Sequence, residues 1–245
     1  MNVPRGTILQ LGENMKIKSE FEKVKIVISD RQEEQFEKMA EFLQDYSKKV
    51  NLTAIKDREG IIKKHFVDSV LPLAMTEVKQ NAKCADIGTG AGFPALPMMI
   101  LRPDLSFTLV DALQKRIAYL REVTAHIGVT AELLHARAEE IGKNPVYREQ
   151  FDMVTARAVS GLCELSEYCS PLLKVGGIFL AMRGSTKELN PHTENVFELL
   201  GGKLEAEREY SLPDGDSRRI IIVRKINSTP SQYPRTAAQM QKKPL

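Results

Sequence analysis

The sequence predicts a doubly wound α/β sheet of about seven strands, ending in an antiparallel hairpin and preceded by a helical extension. Three observations carry this expectation. From Ala82 onward short apolar runs alternate with helix-like segments, the pattern of parallel strands covered by helices on both faces. Directly after the first run comes DIGTGAGFPALP (86–97), with three glycines at every second position and two prolines behind them. Near the end, KLEAEREY (203–210) and RRIIIVRK (218–225) stand too close for a crossover helix, so they should pair antiparallel.

Taken in order, residues 1–28 read as polar and irregular. Ser29 with Gln32 makes a capping box, opening a helix that carries Phe36, Met39, Leu43, Tyr46 and Val50 on one face. Asn51 reads as the C-terminus of that helix. A second helix, from about Arg58 to Leu71, should end near Pro72. His65 and Asp68 share a face of it; with no further ligand in view they should hydrogen-bond the N-terminal helices to the domain rather than hold a metal.

The strand-like runs are KCADI (83–87), SFTLVD (106–111), AELLHA (131–136), DMVTARA (152–158) and IFLAM (178–182), before the two closing strands. The clearest intervening helix is Leu113–Ile127, with Ile117, Leu120, Thr124 and Ile127 on one face and Gly128 as its stop. KVGG turns the chain into the fifth strand. The expected divisions are an irregular segment 1–28, a helical extension 29–80, the sheet domain 81–226 and a basic tail 227–245.

Composition narrows the class. No apolar run approaches the roughly 20 residues a membrane span needs, and the N-terminus lacks a secretory pattern, so a cytoplasmic protein is expected. Cys84, Cys163 and Cys169 are odd in number with no C-x-x-C pair, which points to reduced thiols rather than a disulfide frame or zinc site. The net charge of +3 conceals an asymmetry: Ser217–Leu245 holds seven basic residues and no acidic one. Such a tail serves either a polyanionic partner or plain solubility.

The glycine turn decides the ligand class. A dinucleotide fingerprint needs glycine at position 93, which is Phe93, and a Walker loop would need a following lysine, which is missing. Pro94 suits the first turn of a helix. The second strand ends in Asp111, where a doubly wound sheet places an acid against a ribose; capping the next helix is the other use of that position. A nucleoside cofactor without pyrophosphate fits these residues, and S-adenosylmethionine (SAM) is the obvious candidate. Asp86 either touches it or ties down the glycine loop.

In this setting the chain resembles the Rossmann-like class I SAM-dependent methyltransferases. More narrowly it resembles the bacterial 16S rRNA guanine-N7 methyltransferase family, once called glucose-inhibited division protein B. The resemblance rests on NLTAI (51–55), HFVDS (65–69), DIGTGAGFPALP, VDALQKRIAYL (110–120), RAEE (137–140), TARAV (155–159) and YPR followed by KKPL. It implies that Gly88 and Phe93 contact SAM in the turn, that Ala138 and Glu139 lie beside its adenine, and that Arg157 completes the site; Gly90 of the same turn and Asp111 at the ribose are the remaining expected cofactor contacts. The sequence departs from the family at Ala95, where glycine is common, at Arg183, where a Lys-Gly pair is common, and at Tyr46 or Ser47, where tryptophan is frequent.

The implied chemistry asks little of side chains. Guanine N7 offers a lone pair and carries no proton, so no base, metal or covalent nucleophile is required, only alignment and exclusion of water. No [DN]-P-P-[YFW] motif for exocyclic amines follows the fourth strand. The methylated base is a cation, so basic residues should grip phosphates and leave base selection to stacking and edge hydrogen bonds. Candidates for that grip are Lys115, Arg116, Arg218, Arg219 and Arg235; for Lys115 and Arg116 a solvated helix face is the alternative, and for Arg157 a structural ion pair. The expected partner is 16S rRNA or the small ribosomal subunit, met by a monomer. Rival readings are a methyltransferase of another RNA or a small molecule, and a non-catalytic rRNA-binding assembly protein.

Overall fold

Short, mostly apolar strands build one seven-stranded sheet in the computed structural model, which describes residues 16–157, 161–184, 189 and 191–245. The strands are β1 (Lys83–Ile87), β2 (Ser106–Asp111), β3 (Glu132–His135), β4 (Phe151–Arg157), β5 (Leu173–Gly184), β6 (Gly202–Ser211) and β7 (Ser217–Lys225). Their order is β3-β2-β1-β4-β5-β7-β6. The first five run parallel, and β7 enters antiparallel between β5 and β6. The central strands are buried on both faces, as near-continuous apolar runs require. Edge strand β6 instead alternates, with Lys203, Glu205, Glu207 and Glu209 discouraging further strand pairing.

Side-chain alternation divides the core in two. Cys84, Leu109, Met153, Leu180 and Ile222 face one layer of helices, while Ala85, Val110, Val154, Ala181 and Ile221 face the other. The first layer holds α1 (Ile17–Lys23), α2 (Asp30–Ser47), α3 (Arg58–Gly60), a π-helical stretch Ile61–Val67, α4 (Asp68–Met75), α5 (Ala95–Leu101) and α6 (Gln114–Ile127). The second holds α7 (Ala138–Lys143), α8 (Leu162–Cys169), α9 (Pro191–Leu199) and α10 (Ala237–Lys242).

The expected capping box of Ser29 and Gln32 is present at the start of α2. Phe36, Met39 and Leu43 are fully buried, each contributing about 1.5–3 kcal/mol. Gln32 and Gln35 donate to carbonyls of Ile100, Leu101 and Ile127, so α2 lies directly on α5 and α6. Gly128 closes α6 with φ +68°, a conformation glycine takes without strain.

Four expectations are corrected. Residues 17–23 are not irregular: Ile17 and Phe21 anchor α1 by burial, while residues 1–15 lie outside the described part. Helix α2 stops at Ser47, so Asn51 is beyond its end rather than at it. Pro72 does not end a helix but sits inside α4, where burial of Val70, Leu71 and Pro72 outweighs the one bond to the Asp68 carbonyl that proline cannot make. KVGG is an irregularity within β5, with Gly176 at φ +88°, rather than a turn before it.

The basic tail is the largest departure from expectation, since it is strapped to the domain. Arg148 donates to the carbonyls of Gly142, Thr229 and Tyr233 at 2.7–2.9 Å. Lys225 is buried and donates to the Ser170 carbonyl at 2.6 Å. Pro234 packs so tightly on Gly142 that a Cβ there would stand 2.7 Å from its ring. Met240 of α10 enters the second core layer.

Candidate active site

The turn after β1 is shaped by positive φ at Gly88 (+68°) and Gly90 (+61°), which brings bare backbone to the C-terminal edge of the sheet. The amides of Gly88 and Thr89 donate to the Val110 carbonyl, tying the turn to β2. Asp111, 3% exposed at the end of β2, accepts from the Gly90 amide (3.0 Å), the Leu113 amide (2.9 Å) and Arg116 Nη1 (3.0 Å). It therefore joins the turn to the start of α6. Asp86 is fully buried beneath; burial pushes its pKa up to about 6 against the bond from the Thr155 hydroxyl (2.7 Å).

A cavity of about 350 Å³ opens over the turn, lined by Leu52, Thr53, His65, Gly88–Ala91, Phe93, Arg116 and Arg157. A second of about 420 Å³ adjoins it, lined by residues including Ile55, Lys64, Asp68, Met182, Tyr210 and Arg218. His65 and Arg157 belong to both walls.

That shared wall is built where the π-helical stretch runs into α4, which brings Lys64, His65 and Asp68 to the end of β4. Arg157 lies 3.3 Å from the Lys64 carbonyl, 3.2 Å from His65 Nδ1 and 3.5 Å from Asp68 Oδ2. The His65 ring stacks on Phe93 at 4.4 Å, and the Arg157 guanidinium stands 5.2 Å from the same ring. Asp68 also accepts from Tyr210 (2.9 Å) and Arg218 Nε (3.4 Å). Burial and then the Arg157 charge push the His65 pKa down to about 3, so the ring is neutral near pH 7. His65 and Asp68 thus do link the N-terminal helices to the sheet.

Of the residues expected to meet the cofactor, Gly88, Gly90, Phe93 and Arg157 line the first cavity. Asp111 reaches it through its bonds to Gly90 and Arg116. Ala138 and Glu139 start α7 beyond β3 and are not in its lining.

The five expected phosphate contacts do not gather on one surface. Lys115 is exposed on α6, whereas Arg116 turns into the first cavity. Strand alternation sends Arg218 and Arg219 to opposite faces of the sheet. Arg218 joins Asp68 in the second cavity; Arg219 pairs with Glu207 and Glu209. Arg235 is held by buried Glu167. Sequence reasoning missed Thr53 and Tyr210 as wall residues; the NLTAI motif was a signal for the first, and nothing local marked the second. Val159, at the end of TARAV, lies outside the described residues.

The first cavity fits an adenosine-type cofactor by its own chemistry. Arg116 Nε, on a side chain of its wall, is a buried polar atom with no partner among the described residues. A Cβ at Gly90 would meet nothing nearer than 3.9 Å, which leaves that backbone open to a ligand.

Residues 32–206 match the model of the GidB family, rRNA small subunit methyltransferase G. The chain is 45% identical over 227 residues to the ribosomal RNA small subunit methyltransferase G of Clostridium novyi (strain NT), covering 91% of this chain and 93% of that one. It is 46% identical over 226 residues to the protein of the same name from Leuconostoc mesenteroides, covering 90% and 94%. Among solved structures, a SAM dependent methyltransferase from Aquifex aeolicus aligns over 69% of this chain and 94% of that one, with TM-score 0.53 and 16% identity. PH0226 from Pyrococcus horikoshii OT3 aligns over 74% and 98%, with TM-score 0.52 and 15% identity. The two structures share the fold with this chain.

Proposed function

Starting from a chain that belongs to the rRNA small subunit methyltransferase G family, we propose that it transfers a methyl group from SAM to N7 of a guanine in 16S rRNA, in the cytoplasm. The observation that carries this reading is the pair of adjoining cavities whose common wall is His65 and Arg157. One cavity takes the donor over the glycine turn, and the other takes the base.

The cofactor supplies, when bound, a methyl group on a positively charged sulfur. Gly88, Gly90, Thr89 and Arg116 would hold it, with Asp111 fixing the Gly90 amide and Arg116 in place. Phe93, pinned under His65, gives the wall an apolar face that excludes water. Arg157 is held by Asp68, so its charge is offset beside a base that becomes cationic. Guanine N7 loses no proton, which suits a wall whose histidine is neutral. Lys115 remains the proposed phosphate contact, with Arg218 at the rim of the second cavity.

The test is labelling with methyl-tritiated SAM on small subunits, protein-free rRNA and tRNA, followed by digestion to nucleosides. The expected label is 7-methylguanosine from small-subunit rRNA. Label in another nucleoside would overturn the chemistry, and label in tRNA alone would overturn the substrate.

A further inference from the structure

The hydroxyl of Thr53 is committed to donate by the bonds it already accepts. Arg157 Nη2 stands 3.2 Å from His65 Nδ1, and a guanidinium only donates, so Nδ1 is the unprotonated nitrogen. The neutral ring then carries its proton on Nε2, which donates to Thr53 Oγ1 at 2.8 Å. The same oxygen accepts the Ile55 amide at 3.2 Å. A hydroxyl has two lone pairs and one proton. Both lone pairs of Thr53 are used, and no acceptor among the described residues takes its proton.

That proton sits where the two cavities meet. Leu52 and Thr53 line the first, Ile55 lines the second, and the bonded partners His65 and Arg157 line both. We propose that Thr53 is a specificity-determining residue that donates its hydroxyl proton to O6 of the target guanine. The inference rests on the guanine-N7 reading above. N7 and O6 share one edge of guanine and both accept; adenine sets an N6 amine, a donor, beside its N7. A base aimed through N7 at this wall therefore presents either an acceptor or a donor to a hydroxyl that only donates. Guanine is bound and adenine is refused.

The charge distribution favours O6 over a cofactor carboxylate as the acceptor. A full negative charge in the first cavity is better met by Arg116, whose Nε lacks a partner among the described residues. A neutral hydroxyl backed by a neutral imidazole suits a carbonyl oxygen, and it adds no positive charge against a ring that becomes cationic.

The test uses small-subunit RNA assembled with guanine, 2-aminopurine or 2,6-diaminopurine at the position that takes the methyl. 2-Aminopurine keeps N7 and lacks O6; 2,6-diaminopurine carries the N6 donor. The full-length wild type should use 2,6-diaminopurine less well than 2-aminopurine, an arm that needs no variant. Thr53→Val should lower kcat/KM for guanine about 10-fold and that for 2-aminopurine less, because it also strips His65 Nε2 and the Ile55 amide of their acceptor, while Thr53→Ser keeps the wild-type ratio. The dissociation constant for SAM, measured by calorimetry on the same preparations, should not move. Equal losses on both bases, a weakened SAM affinity, or 2,6-diaminopurine used as well as 2-aminopurine would overturn the role of Thr53 while leaving guanine methylation intact. Failure of the wild type to form 7-methylguanosine would overturn the N7 reading itself, and the Thr53 role with it.

Discussion

Arg235 and Glu167 form an ion pair closed at 2.6 Å, with Glu167 only 1% exposed and also bonded to the Arg235 amide at 2.8 Å. The pair fastens the C-terminal strap to α8. Arg235→Ala leaves a buried carboxylate without its partner, so stability should fall by about 3 kcal/mol, read as a lower urea midpoint. The salt dependence of RNA binding should be unchanged. A slope reduced by about one would instead make Arg235 a phosphate contact.

Asp111→Asn removes the charge that holds both the Gly90 amide and Arg116. SAM affinity should drop by about 10- to 100-fold, the worth of a hydrogen bond to a charged group. Calorimetry on the purified variant decides it, and an unaltered dissociation constant would leave Asp111 as a helix-start residue only.

Arg157→Lys keeps the charge and loses the fork that spans the Lys64 carbonyl, His65 and Asp68. The methyl-transfer rate in single-turnover experiments should fall about 100-fold, as for a wall displaced by an ångström. A rate within threefold of wild type would mean that charge alone suffices.

His65 and Asp86 should shape acid stability with opposite signs. The folded pKa of His65 lies near 3, below its ordinary 6.5, so its contribution is present above pH 6.5 and is lost as pH falls toward 3. The folded pKa of Asp86 lies near 6, above its ordinary 3.8, so its contribution is present below pH 3.8 and is lost as pH rises through 6. Urea melts across this range should show the advantage of wild type over His65→Asn shrinking as pH falls. The same comparison with Asp86→Asn, which keeps an acceptor for Thr155, should show the reverse trend. Parallel slopes for the two variants would contradict the assignments.

What the sequence by itself determined was whatever depends on near neighbours and period. The Ser29–Gln32 box, the positive-φ glycines, the Gly128 stop and the alternating strands act within a few residues, so they were legible and with them the fold and the cofactor class. The resemblance carried by NLTAI, HFVDS and the glycine turn supplied the family. Only the tertiary structure decided which charges are free. Glu167 and Arg235 are 68 positions apart, and Asp68 and Arg218 are 150 apart, so no local pattern marks either pair. The same holds for the commitment of Thr53, which depends on Arg157 fixing the tautomer of His65 from 92 positions away. A charge's role is set by the partner that burial forces upon it, and that partner is chosen by the packing of distant elements.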